Sequence, residues 1–205
     1  MRLLLGLLLL LVPGLARAAD LVVILRTPQG RPIVDAVVTI PAPRAGAVHF
    51  DWPYRMAQHG MQFDPFVLIV PVGADVAFPN LDSVRHQVYS FSPTHPFELR
   101  LYGRDETRSV HFERAGIVAI GCNIHDSMVG FIDVVDTPYA AKTDAQGQAV
   151  IHDAPAGAQT INVWHPYLRT ARNAMASPVV IPRTGQIRVQ LAASLNTPPA
   201  RHGAY

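Results

Sequence analysis

The chain has 205 residues, of which 49% are hydrophobic and only 16% are charged, and its formal net charge is +2 at neutral pH. This length accommodates one large domain or two small ones. The sequence has no run of Lys and Arg and no basic helix interleaved with aromatic residues, so its composition gives no support for binding to nucleic acid.

The N-terminal segment, residues 1–18, is predicted to be a signal peptide. It has a charged residue, Arg2, then an apolar run over Leu3–Val12, a Pro-Gly break and a small-x-small sequence ending at Ala18. The alternative is a retained membrane anchor, but the apolar run is too short to span a bilayer as a helix. We therefore expect a mature chain that begins at Ala19, has no membrane span and is exported to a bacterial periplasm.

The next part of the chain reads as short β-strands separated by turns. Two apolar runs rich in β-branched residues, Leu21–Leu25 and Val34–Ile40, flank a Pro-Gln-Gly turn, and a proline-rich loop covers residues 41–54. Further strands are predicted at Phe66–Val70 and Asp75–Phe78. The same applies to the segments "RHQVYSFS", "FELRLY", "RSVHFE", "GIVAIGC" and "MVGFIDVVD".

The pattern continues in kind past Thr137, where turn sequences again separate short apolar runs. The segment "PVVIPRTGQIRVQLA" predicts a hairpin around Thr184 and Gly185, and residues 196–205 are predicted to be a flexible tail. No helical periodicity of useful length is present. Short strands at this spacing indicate an all-β fold made of β-sandwiches.

The segment "IGCNIHDSM" contains the only cysteine of the chain. Cys122, His125 and Met128 follow one another at intervals of three residues, and a tight loop between two strands can aim all three side chains at one point. An exported protein with one cysteine cannot form an internal disulfide. From these residues alone, a metal site and an inert buried thiol are about equally good interpretations.

A mononuclear site needs a further histidine from another strand, and His86 is the best placed of the nine in the chain. It follows a strand, a Pro-Asn turn and a short loop, and it opens the next predicted strand. One Cys, two His and a distant Met are the ligands of a trigonal site with a weak axial thioether, which suits copper in electron transfer. Structural zinc more usually brings several cysteines.

Two stretches, "FDPFVLIVPVGADVAFPNLDSVRHQVYSF" and "GIVAIGCNIHDSMVGFIDV", resemble the cupredoxins, the blue-copper family of plastocyanin, amicyanin and pseudoazurin. The resemblance implies a Greek-key β-sandwich over residues 55–136 and one type 1 copper site. By resemblance, the copper ligands are His86, Cys122, His125 and Met128.

More narrowly, "FPNLDSVRHQVYSFSP", "GCNIHDSMVGFIDVVDTPYAAKTD" and "VWHP" are similar to exported cupredoxin-like proteins known as methylamine utilization proteins. One position departs from the plastocyanin type. The residue after the first histidine ligand is often Asn there, and its side chain helps to tie down the cysteine loop, whereas here it is Gln87. Groups behind the ligands tune a copper site, so the reduction potential stays open.

The two ends of the chain, "VILRTPQGRPIVDAVVTI" and "AKTDAQGQAVIHDAPAGAQTINVWHP", resemble the carboxypeptidase regulatory-like β-sandwich. The resemblance implies a second, discontinuous domain over residues 20–54 and 137–195, with the cupredoxin domain inserted into it. Insertion at a surface loop is physically easy when the ends of the inserted domain lie close together.

These features predict a periplasmic type 1 copper protein that carries single electrons between redox partners of unknown identity. The alternative is copper delivery, storage or sensing without electron transfer, since it would use the same ligands. A thiol enzyme would leave His86 and Met128 unexplained, so we expect no enzymatic activity. The stretch 164–166, Trp-His-Pro, is either a partner or second metal feature or, more simply, a strand end with a packed Trp.

Overall fold

A computed structural model describes residues 18–42 and 46–197 of the protein. The predictions of a signal peptide and of a flexible tail therefore fall almost wholly outside the described residues. The described residues form sixteen strands and one short 3-10 turn, joined by loops. The all-β prediction is confirmed. In the ranges that the structure describes, no helix is long and apolar enough to cross a membrane.

The strands in chain order are mostly short and follow the turn sequences closely. They are β1 Ala19–Arg26, β2 Val37–Thr39, β3 Ala57–His59, β4 Gln62–Asp64, β5 Val67–Pro71, β6 Ala74–Pro79, β7 His86–Ser90, β8 Phe97–Tyr102, β9 Thr107–Phe112, β10 Gly116–Gly121, β11 Val129–Val135, β12 Ala140–Lys142, β13 Gln148–Ala154, β14 Gly157–Trp164, β15 Ala174–Ile181 and β16 Gln186–Ala192. The 3-10 turn is Ala171–Asn173.

Strands β3–β11 form the first sandwich. Its main sheet has the order β5-β11-β10-β7-β8, in which only β5 and β11 run parallel, and the pairs β3–β4 and β6–β9 lie against it. Leu68, Val88 and Ile132 from the main sheet share one apolar core with Phe63 and Phe78 from the smaller pairs. On β7 the buried side chains are His86, Val88 and Ser90, which defines the inward face that sequence alone left open.

The remaining strands form a second sandwich from both ends of the chain. One sheet has the order β13-β1-β16 and the other β12-β2-β14-β15. Leu21 and Val23 of β1 share a core with Val38 of β2 and Val163 of β14, and Val38 is paired directly with Val163. The first sandwich is thus inserted between β2 and β12 of the second.

The predicted hairpin around Thr184 and Gly185 is wrong. Strand β15 pairs with β14, but β16 crosses to the other sheet and pairs in parallel with β1, where Val189 lies beside Val23. The turn residues specify only that the chain changes direction. The alternation of Ile187, Val189 and Leu191 then lets β16 cover the second sandwich's core from the side of β1.

The two sandwiches meet at a cluster of apolar residues drawn from both of them, which we call the joint. Aromatic rings cross it, with Phe131 of β11 against Trp164 of β14 at 5.6 Å between centroids and Phe66 against Tyr167 at 6.2 Å. Trp164 is therefore a packing residue. The buried members of the joint are Val37, Phe50, Val67, Ile69, Val135 and Ala140.

Polar contacts close the joint along β5, which is the edge strand of the main sheet. Lys142 Nζ donates a hydrogen bond to the carbonyl of Val67 at 2.9 Å, and Trp52 Nε1 donates one to the carbonyl of Ile69 at 2.8 Å. Lys142 also pairs with Asp35 at 2.9 Å. An unpaired strand edge invites association with other chains, so these two donors protect β5.

Candidate metal centre

The sheet topology brings the predicted ligands to one end of the first sandwich. Strand β7 begins at His86, and Cys122 follows directly after β10, its antiparallel neighbour in the sheet. The loop between β10 and β11 then carries His125 and Met128. Strand ends that adjoin in one sheet deliver their side chains to one place, because neighbouring strands lie about 4.8 Å apart.

The thiol and both imidazoles converge. Cys122 Sγ lies 3.8 Å from His86 Nδ1 and 3.8 Å from His125 Nδ1. The three atoms all lie within 4.8 Å of one another. Sulfur and nitrogen ligands of one first-row metal ion, with bond lengths of about 2.3 and 2.0 Å, stand roughly 3.5–3.7 Å apart. The observed separations therefore fit a shared ion.

Met128 lies in the same apolar core as Cys122 and is 1% exposed. Its backbone N–H donates to the carbonyl of His125 at 2.9 Å, and its carbonyl accepts from the N–H of Cys122 at 3.3 Å. These bonds close the loop from Cys122 to Met128 on itself. Backbone hydrogen bonds thus hold Met128 next to the cluster. The role of the Met128 side chain as a ligand stays a prediction.

The surroundings of the thiol favour its ionised form. Burial raises the pKa of Cys122, but hydrogen bonds from His86, from the backbone N–H groups of Gln87 and Ile124, and from His125 outweigh it and lower the pKa to about 6. A thiolate is the form that binds metal. The site therefore favours the ligand state of Cys122 near neutral pH.

Asp82 contacts this cluster and is not among the residues that the sequence predicts for the site. Its Oδ2 lies 2.7 Å from His86 Nε2, on the side of the ring opposite to Cys122. Burial lowers the pKa of His86, but its hydrogen bonds with Cys122 and Asp82 outweigh it and raise the pKa, so the metal-free ring is held between both partners. A metal ion would take the place of the proton on Nδ1, while the N–H on Nε2 stays with the carboxylate of Asp82. Asp82 is the acidic residue of "FPNLDSVRH", four positions before His86. In a loop, unlike in a helix, such a separation does not indicate that two side chains will be in contact.

The loop around Asp82 is itself held in place. The backbone N–H groups of Gly60 and Met61 donate to Asp82 at 2.7 and 3.0 Å. Burial raises the pKa of Asp82, but these two donors and His86 outweigh it and lower the pKa below its usual value. Asn80, which is fully buried, accepts the N–H of Asp82 on Oδ1 at 2.9 Å. The carboxylate that orients His86 is thus charged and fixed.

Gln87 takes a different part from the one that Asn plays in plastocyanin-type proteins. Its side-chain Nε2 donates to Glu98 Oε1 on β8 at 2.6 Å, away from the cysteine loop. Its backbone N–H is the group that reaches the thiol of Cys122. At position 87, the link between β7 and the cysteine loop is therefore made by the main chain and not by the side chain.

No family model matches the chain, and no curated protein matches it. Among solved structures, a Cu-containing nitrite reductase (NirK) from Thermus scotoductus SA-01 is similar over 47% of this chain and 25% of its own length, at 27% identity and a TM-score of 0.40. The chain thus spans a quarter of that reductase. A reduced amicyanin mutant is similar over 48% of this chain and 98% of its own, at 21% identity and a TM-score of 0.39. A Cu(I) amicyanin mutant gives 22% identity over the same shares, at 0.38.

Proposed function

We propose that the protein binds one copper ion and carries single electrons, with His86, Cys122, His125 and Met128 as the ligands. The observation that carries the proposal is the convergence of one thiol and two imidazole nitrogens at 3.8 Å separations. A bound copper ion supplies a one-electron couple between Cu(I) and Cu(II). Soft sulfur ligands favour Cu(I), and imidazole accepts both states, so this donor set suits such a couple.

The surrounding residues would hold the donors in one arrangement. Asp82 orients His86, and the short loop from Cys122 to Met128 is closed by backbone hydrogen bonds. His86 is fully buried, whereas His125 is partly exposed. The imidazole of His125 therefore offers the shortest way from the site to the surface. Four protein ligands leave no position for a substrate, which supports a carrier rather than an enzyme.

The location and the wider family are part of the same proposal. We infer an exported cupredoxin, acting in a bacterial periplasm with a redox protein as partner, and of the type called methylamine utilization proteins. The thiolate of Cys122 would be occupied by metal, which accounts for a single cysteine in an exported chain. The pairing of β2 with β14 supports a discontinuous carboxypeptidase regulatory-like domain over residues 20–54 and 137–195, around a cupredoxin domain over 55–136.

The test is to load the full chain with Cu(II) and to record its visible absorption, electron paramagnetic resonance and voltammetry. We expect one copper per chain, intense colour from the thiolate and a reversible redox wave. Cys122→Ser should remove the colour, whereas Ser127→Ala, in the same loop, should keep it. Colourless, exchangeable copper without a reversible wave would support copper delivery or sensing instead.

A further inference from the structure

Asp133 is a buried carboxylic acid that the proposed copper site does not use. Strand β11 alternates, so that Ile132 and Val134 face the core of the first sandwich and Phe131, Asp133 and Val135 face outward. Phe131 and Val135 belong to the joint with the second sandwich. Asp133 lies between them and is 8% exposed.

The neighbours of Asp133 are apolar. In the sheet it is paired with Ile69 of β5 and Ile117 of β10, and neither strand carries a charged side chain. Among the described residues, no hydrogen bond or ion pair of its carboxylate is found. Burial alone raises the pKa of Asp133 to about 7. A buried carboxylate without a partner is strongly disfavoured in its charged form.

The charged groups of the other elements around the joint are occupied or face the solvent. Lys142 of β12 is engaged with Asp35 and with the carbonyl of Val67. The segment before β3 carries His49, Asp51 and Arg55, which line an open cleft of about 940 Å³ between the sandwiches. Asp136, which follows directly after β11, is exposed. None of these groups contributes to the pKa shift of Asp133.

Asp133 also stands close to the limit of the joint. The joint covers the outer face of the main sheet at β5 and β11. Beyond β11 this face is open to solvent, since Ala119 of β10 is exposed and Phe91, just after β7, is 84% exposed. Ile117, the partner of Asp133, is half-buried. Asp133 itself keeps 8% of its surface exposed, so water already reaches the edge of this residue and can enter further if the carboxylate ionises.

We propose that Asp133 makes the joint between the two sandwiches pH-sensitive: the protonated side chain permits close packing, and its ionisation admits water from the side of β10 and loosens the joint. The protein would thus have a closed form at mildly acidic pH and a looser form at mildly alkaline pH. The inference rests on the joint alone and does not depend on copper binding.

The chain contains a reporter for this change. Its two tryptophans both lie at the joint, Trp164 against Phe131 and Trp52 on the carbonyl of Ile69. We would titrate the copper-loaded full chain from about pH 5 to 9 and record tryptophan emission. We expect a shift to longer wavelength with a one-proton midpoint near the pKa of Asp133. Amide exchange of β5, corrected for its intrinsic pH dependence, should accelerate about tenfold or more.

Two variants decide the cause. Asp133→Asn, which imitates the neutral acid, should abolish the transition and stay closed throughout, whereas the exposed control Asp136→Asn should keep it. A transition that persists unchanged in Asp133→Asn, or a wild-type protein with no transition, overturns the proposal. If Asp133→Asn does not fold, carbon NMR of the wild-type carboxyl groups decides instead. The carboxyl of Asp133 must titrate at the same midpoint as the emission, and a carboxyl that is already ionised at pH 5 overturns it.

Discussion

Asp82→Asn tests whether the group behind His86 controls metal binding. The carboxylate of Asp82 accepts three hydrogen bonds, from the N–H of Gly60 on Oδ1 and from the N–H of Met61 and Nε2 of His86 on Oδ2. An asparagine amide has an acceptor on one branch only. In either orientation, its NH₂ group therefore faces at least one donor.

The magnitude follows from which contact is lost. With the amide oxygen toward Met61 and His86, the NH₂ group opposes Gly60, and losing a hydrogen bond to a charged group costs about 1.5–3 kcal/mol of stability. With the NH₂ group toward His86, Nε2 must become the acceptor and the proton moves to Nδ1, the atom that faces Cys122. Both outcomes weaken the site, and substitutions behind metal ligands typically reduce affinity by about 10–100-fold.

The assay is a competition titration of the metal-free full chain with Cu(I) and a chromophoric chelator. We expect Asp82→Asn to bind copper about 10–100-fold more weakly than wild type. The matched control is Asp126→Asn, which removes the same charge from an exposed residue next to His125. If Asp82→Asn binds within about twofold of wild type, Asp82 does not orient His86 and the reasoning is refuted.

Three further predictions concern stability and ionisation. Because the folded-state pKa of Asp133 is raised from 3.8 to about 7, the free energy of unfolding of wild type should fall as the pH rises between these values. Above pH 7, denaturant unfolding should give Asp133→Asn a free energy of unfolding at most about 4 kcal/mol higher than that of wild type. Equal stabilities at pH 5 and pH 8 would contradict this. In the metal-free protein, the ultraviolet absorbance of the Cys122 thiolate should appear with a midpoint near pH 6 instead of 9. A midpoint above pH 8 would show that the hydrogen-bond donors around Cys122 do not stabilise the thiolate. Gly147→Ala should destabilise the second sandwich by about 1–3 kcal/mol in urea unfolding. The added Cβ would lie 2.5 Å from the carbonyl oxygen of Leu25, at a backbone φ of +73°. An unchanged unfolding midpoint would contradict this prediction.

Much of the strand content was predictable from local pattern. The apolar runs that became β1 and β5 both predict strands, because short runs rich in β-branched residues and bounded by turn sequences are typical of strands buried on both faces. The cysteine loop was predictable for a related reason. Cys122 and His125 are near in sequence, so a single tight turn suffices to bring them together, and His86 stood at a recognisable strand start.

Pairings between distant segments could not be read from the same signals. The sequence "RTGQ" indicates a change of direction, but whether β16 pairs with β15 or with β1 depends on which strand edge is free in the folded sandwich. The direction of the Gln87 side chain likewise depends on Glu98, a residue on the neighbouring strand. Local sequence carries no information about such partners.

The sequence by itself determined the kind of elements, most of the strand positions along the chain and the residues to suspect of binding metal, since these depend on side-chain type and short spacing. Only the tertiary structure decided the environment of individual ionisable groups. It placed Asp82 behind His86 and buried Asp133 on the face of β11 whose neighbouring residues meet the second sandwich. Both are acidic residues of the same type, yet donors from a loop lower the pKa of one, and burial among apolar side chains raises that of the other.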